Sequence, residues 1–199
     1  GMALLAQCYS VRGYDVVSAY NICSTVSNVF NVAFMAMGNA VGILVGQLLG
    51  AGKMEEAVDT DRKLITFSVG ICIVLGGVMA LVAHLFPQIY NTSDSIRGLA
   101  AAFIRICALC MPINALANAC YFTLRSGGKT FVTFLFDSAF VWLINIPVAY
   151  VLSRYTAMPI LLLYACCQSL EIIKCIIGTV MVKKGIWINN IVADKKGEV

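Results

Sequence analysis

Charged residues are scarce in this chain. Of its 199 residues, 12% are Asp, Glu, Lys or Arg and 60% are hydrophobic, whereas a soluble domain carries roughly 25% charged and 45–50% apolar residues. The mean hydropathy of +0.87 points the same way. So few charges could not cover a soluble domain of this length, which excludes a water-soluble globular enzyme and a disordered chain. There is one histidine, His84, at the end of an apolar span. Standing alone, it gives a Ser-His-Asp arrangement no support and reads as an interfacial residue rather than a metal ligand. No GxxxxGK[ST] phosphate loop and no HExxH string occur. No long basic stripe occurs either, so a net charge of +4 and a pI near 8.6 do not indicate a nucleic-acid partner. The expectation is a protein that is not an enzyme, with no bound metal or organic cofactor.

An even cysteine framework is also lacking. The count is nine, and Cys23, Cys72, Cys107, Cys110, Cys120, Cys166, Cys167 and Cys175 sit inside apolar runs, so a disulfide scaffold is excluded. Cys107 and Cys110 form a CxxC within one helix, but no second pair or histidine lies near. They read as small apolar packing residues. Residues 1–12 have no basic start and too short an apolar stretch for a secretory leader. They read as the end of a helix that begins upstream, and the chain reads as part of a longer one.

What is present is a series of long uncharged blocks, at 16–50, 64–86, 96–124, 130–152 and 159–182. At about 20 residues per span, the reading is an all-α, polytopic transmembrane helix bundle of five complete helices, with residues 1–12 as part of another. Residues 1–182 are then membrane-embedded, and 183–199 form a basic tail whose Ile186, Trp187, Ile188 and Ile191 suit a membrane surface. The segments between blocks, including AGKMEEAVDTDRK and QIYNTSDS, read as loops. The first block has no charge between Asp15 and Lys53. Its 35 residues make a helix of about 50 Å, longer than the ~30 Å hydrocarbon core. Pro112 predicts a kink in the third block. Pro159 suits the start of the last.

Nine basic residues fall on one side of this plan: Lys53, Arg62, Lys63, Arg125, Lys129, Lys183, Lys184, Lys195 and Lys196. Arg12, Arg97 and Arg154 fall on the other. The first side is expected to face the cytoplasm, the C-terminus included.

Ionisable residues inside apolar helices need a cavity or a partner, because an Asp at mid-bilayer costs about 2.5–3.5 kcal/mol on insertion scales. Asp137 is a candidate for a cavity or cation-coupling role, or for structural pairing near a helix end. Glu171 and Lys174 are i, i+3 neighbours placed to pair with each other. Arg105 reads as an interfacial side chain. Three polar stripes repeat at i, i+4, i+7: Asn21, Thr25 and Asn28; Asn114, Asn118 and Tyr121; Tyr164, Gln168 and Glu171. Three wet faces together point to one shared cavity. Gly38, Gly42, Gly46 and Gly50 recur every fourth residue, the spacing that lets another helix approach closely.

The string GNAVGILVGQLLGAGKMEEA (Gly38 to Ala57) resembles a segment of the multidrug and toxic compound extrusion (MATE) family. Two more strings, TLRSGGKT (Thr123 to Thr130) and FDSAFVWLINIPVAYV (Phe136 to Val151), agree in order and spacing. The resemblance implies twelve helices in two six-helix lobes, of which this chain is similar to the C-terminal one with its first helix mostly absent. It implies a plasma or inner-membrane antiporter that exports small cationic amphipathic compounds in exchange for H+ or Na+. The partners would be the lipid bilayer and the N-terminal lobe of the same transporter. Some relatives place coupling acids in the seventh and tenth helices. The block at 96–124 has no Asp or Glu, so those sites carry over to no residue here. Two other readings stand beside this one: a lipid-linked saccharide flippase, whose cavity would need several Arg or Lys, and a non-transporting membrane module.

Overall fold

The computed structural model describes residues 2–128, 130–156 and 158–188. Helices account for nearly all of them: α1 (Met2–Ser10), α2 (Tyr14–Gly50), α3 (Met54–Val82), α4 (Asp94–Ser126), α5 (Thr130–Phe134), α6 (Ile146–Tyr155) and α7 (Ile160–Lys183). Four of them, α2, α3, α4 and α7, are long and apolar enough to cross a membrane. The fifth expected span, 130–152, is built differently. It runs from α5 through two π-helical turns, Leu135–Ala139 and Val141–Asn145, into α6, which continues to Tyr155. Pro147 lies in the first turn of α6 and has no N–H to offer the preceding turn, which favours the looser bonding there.

Two boundaries differ from the sequence reading. The stretch from Met54 to Lys63 is helix, not loop, and only residues 51–53 turn, with Gly52 at φ +77°. Acidic Glu55 and Glu56 sit on the positive end of α3. Asp59 and Lys63 pair at 2.6 Å one turn apart, while Ala57 packs inward. Apart from the buried Asp61, the charges that suggested a loop are thus the outer face of an amphipathic first few turns. At its other end α3 stops at Val82, and Pro87 sits in a short 3-10 turn, Phe86–Ile89.

The central helix is α4, which packs against α2, α3 and α7. Its inward positions include Ala100, Ala101, Ala108, Ala115, Ala117 and Ala119, all buried. Small residues let three neighbours reach its backbone, and close packing is what holds helices together in lipid. α4 runs on through Pro112. Proline leaves the Ala108 carbonyl without its usual i+4 donor. α3 comes close to that carbonyl: a Cβ on Gly76 would stand 2.8 Å from it.

Two apolar clusters lie along α2. One gathers Tyr9, Val26, Phe103, Leu163 and Tyr164 near α1; the other gathers Val41, Val45, Leu49, Leu124 and Trp187. Around them the outer surface stays apolar, with Phe67, Val74, Leu81, Leu109 and Leu143 exposed. The most apolar window of α3 is only 22% buried. A helix apolar on all sides yet largely uncovered has lipid as its solvent. Arg105 projects outward from α4.

The helix ends sort the charges. Lys53, Arg62, Lys63, Arg125, Lys183 and Lys184 lie where α2, α4 and α7 end and α3 begins. At this end Thr123 donates to the buried Asp61 carboxylate at 2.6 Å. At the opposite end Arg12 donates to the last carbonyls of α6, Ser153 at 3.0 Å and Thr156 more closely, which ties α1 to α6. Lys129, Lys195, Lys196 and Ile191 lie outside the described residues. The start of the tail corrects one expectation. Trp187 does not lie on a membrane surface; it is 1% exposed and donates Nε1–H to the Val182 carbonyl at 3.0 Å. Gly185, at φ +68°, turns the chain back, and a Cβ on Gly127 would overlap the Trp187 carbonyl.

Candidate functional site

Between α2, α4, the π-helical segment and α7 lies a crevice of about 440 Å³. Asn31 enters it from α2, Asn114, Asn118 and Tyr121 from α4, Asp137 from the first π turn, and Gln168, Glu171 and Lys174 from α7. It shares Asn31, Asn114, Val141, Gln168 and Glu171 with a second cavity of about 270 Å³ that runs toward α1. The expected stripes of α4 and α7 therefore do face one space. Tyr164 and Gln168 are bonded along α7, amide to hydroxyl, at 3.1 Å.

Asp137, Glu171 and Lys174 form one group in this crevice, and Arg125 borders it from the exposed end of α4. Lys174 Nζ lies 2.5 Å from Asp137 Oδ1 and 3.8 Å from Glu171 Oε2. The ammonium thus pairs more closely with Asp137, across to another element, than with its helical neighbour Glu171. The expected i, i+3 pair of Glu171 and Lys174 is present, and Asp137 joins it from another element at shorter range. Lys174 is 13% exposed and Glu171 20%, while Asp137 is open at 53%. Asn145, from the second π turn, donates Nδ2–H to Glu171 Oε1 at 3.4 Å, and its buried Oδ1 has no partner. Sequence spacing gave no sign of Asn145. Its placement depends on π turns, which do not show in an apolar run.

The third stripe, on α2, does not line this crevice. Asn21, Thr25 and Asn28 are all exposed on the outside of the bundle, and Thr25 bonds back to the Asn21 carbonyl at 2.9 Å. The face that lines the second cavity carries Tyr20, Ser24, Ser27 and Asn31. Both sets repeat at i, i+4, i+7 and differ by one residue, a rotation of about 100°. Tyr20 belongs to a cluster that closes the cavity near α1, with its ring 5.2 Å from Tyr9 and 6.4 Å from Tyr164. Cys107 joins this wall, with Ser27 Oγ 3.2 Å from its sulfur. The other eight cysteines are also free thiols, and no group of His, Cys, Asp or Glu among the described residues could hold a metal ion.

The glycine repeat faces α4 only in part. A Cβ on Gly38 would overlap the Phe122 ring; on Gly42 it would stand 3.6 Å from that ring, and on Gly46 3.9 Å from Ser126 Cβ. Gly50 has nothing within 4 Å and makes no such approach. One glycine of the four is therefore required by packing.

These features define an all-α, multi-pass membrane protein with a polar, charged crevice inside an apolar shell. The chain belongs to the MatE family, which it matches over residues 1–151. It is 22% identical over 153 residues to "Probable multidrug resistance protein YoeA" of Bacillus subtilis, covering 75% of this chain and 32% of that protein. It is 25% identical over 153 residues to "Probable multidrug resistance protein NorM" of Pasteurella multocida, covering 76% and 33%. A NorM protein of Neisseria meningitidis is 25% identical over 141 residues, covering 70% and 30%. The chain thus spans about a third of the length of the curated relatives it matches.

Proposed function

We propose that this chain is the C-terminal lobe of a secondary active multidrug efflux transporter, one that exports cationic amphipathic compounds in exchange for H+ or Na+. The observation that carries the reading is the Asp137–Lys174–Glu171 group at the wall of a crevice also lined by amides, aromatic rings and apolar side chains, with Arg125 at its border. Within this group two carboxylates face one ammonium, which favours a cation there, while Arg125 brings a second positive charge to the border of the crevice at the exposed end of α4. Asn31, Asn114, Asn118, Tyr121 and Gln168 offer polar contacts that tolerate varied shapes. A proton or Na+ at the carboxylates removes the charge that the drug needs, so the two ligands compete. Competition at a site reached alternately from either side is the basis of exchange.

The exposed stripe of Asn21, Thr25 and Asn28 supports a second lobe. Three polar side chains on the outside of a membrane helix call for cover other than lipid, and an N-terminal lobe would supply it. The basic end of the bundle, with Lys53, Arg62, Lys63, Lys183 and Lys184, supports a cytoplasmic C-terminus in the plasma or inner membrane. Arg105 faces outward, and among the described residues the bases bordering the crevice are Arg125 and Lys174. That disfavours a flippase for pyrophosphate-linked saccharides. The test is ethidium efflux from proteoliposomes holding the full-length protein. Glu171→Gln is expected to cut efflux by about tenfold or more, the scale of one charge-assisted contact. Unchanged efflux would contradict the role given to Glu171.

A further inference from the structure

The two carboxylates of the crevice are not equivalent. Lys174 Nζ is within hydrogen-bonding distance of Asp137, at 2.5 Å, and beyond it for Glu171, at 3.8 Å. Asp137 is therefore the more closely paired of the two, while Glu171 is paired at longer range and has one amide at 3.4 Å for support. Beside it lies the buried, unpartnered Oδ1 of Asn145. A carboxylate whose charge is only partly compensated, next to a carbonyl oxygen without a donor, is a cation-receptive arrangement. Yet Lys174 is only three residues from Glu171 on the same helix, and i, i+3 neighbours can meet by side-chain rotation alone. What holds the ammonium away is Asp137, which reaches it from a separate element.

We propose that Asp137 is a positioning residue that keeps Lys174 off Glu171, and that Glu171 alone receives the organic cation. This rests on the efflux reading above for the cation, and on the crevice geometry for the division of roles. Lys174 is then a tethered competitor. It leaves the Asp137–Lys174–Glu171 group with one net negative charge, suited to a single monovalent cation. If Asp137 loses its charge, the ammonium moves onto Glu171 and fills the place of the cation. Arg125 also borders the crevice but is exposed at the end of α4, and it takes no part in this pairing.

The test has two arms, both on the full-length protein. In the first, thermal melts of Asp137→Asn, Glu171→Gln, Lys174→Gln and their combinations give the coupling between positions 171 and 174 without any ligand. The coupling is expected to be weak with Asp137 present and to rise clearly in the Asp137→Asn background. Equal coupling in both backgrounds would overturn the positioning role. In the second arm, the dissociation constant for tetraphenylphosphonium is measured by equilibrium binding. Asp137→Asn is expected to weaken binding by about tenfold, and adding Lys174→Gln to restore it. Glu171→Gln is expected to weaken binding with no rescue by Lys174→Gln. Failure of the double variant to recover would overturn the tethered-competitor role. No tetraphenylphosphonium binding in any variant, with the melting pattern as expected, would reject Glu171 as the cation receptor and the efflux reading, and leave the positioning role standing.

Discussion

Gly38 meets the Phe122 ring with no room for a side chain. An added methyl there must push aside a buried ring, a strain that typically costs about 1–3 kcal/mol. Gly38→Ala is expected to lower the melting temperature of the detergent-solubilised protein, and Phe122→Leu in the same chain to recover part of the loss. Gly50→Ala, at a position with open space, is expected to leave it unchanged or raise it slightly, since alanine is the better helix former. An equal effect at both positions would contradict the packing described here. This difference was not legible in the sequence, where the four glycines look alike. The repeat gives their common face, but the depth of contact depends on how far α4 runs beside α2. The same limit explains the polar stripe on α2. Asn21, Thr25 and Asn28 and the set Tyr20, Ser24, Ser27 and Asn31 have the same period, and nothing local says which one turns inward. On α4 and α7 a single polar stripe competes with apolar faces, and there the spacing found the crevice.

At the scale of elements, the bundle was legible because lipid demands long apolar runs, and α2, α3, α4 and α7 supply them. Helix ends were harder to read. Charged residues at the start of α3 suggest a loop by composition, but Asp59 and Lys63 pair one turn apart on an outer face and Asp61 turns inward to Thr123. The segment from Thr130 to Tyr155 looks like an ordinary span. Its π turns set Asp137, Val141 and Asn145 toward the cavities, a departure from regular geometry of the kind found at functional sites. The turn after α7 is the other element that composition misplaced. An Ile-Trp-Ile run in a basic tail reads as a surface anchor, whereas Trp187 is packed under the end of α4. Gly127 makes that possible. Gly127→Ala, in a Trp142→Phe background that leaves Trp187 as the one tryptophan of these 199 residues, is expected to shift tryptophan emission to the red as the ring becomes wetted. An unchanged emission maximum would mean that the turn accommodates the methyl without releasing Trp187.

For the whole molecule, the apolar exterior and the polar interior crevice invert the arrangement of a soluble protein, and low charge content alone foretold this inversion. The alternation of basic and basic-poor ends follows from antiparallel helices with short connections. The family assignment and the crevice agree on a membrane helix bundle, and the efflux role rests on whether that crevice is wet and takes cations. The direct measurement is maleimide labelling of single cysteines at Asn118 and Gln168, in the full-length protein in membranes after its nine native cysteines in this region are replaced. The account predicts that both positions react with a water-soluble maleimide and that tetraphenylphosphonium slows both reactions, while a cysteine at Leu109, exposed on the outer apolar face, stays unreactive throughout. Sealed crevice positions, or labelling that the cation leaves unaltered, would contradict it.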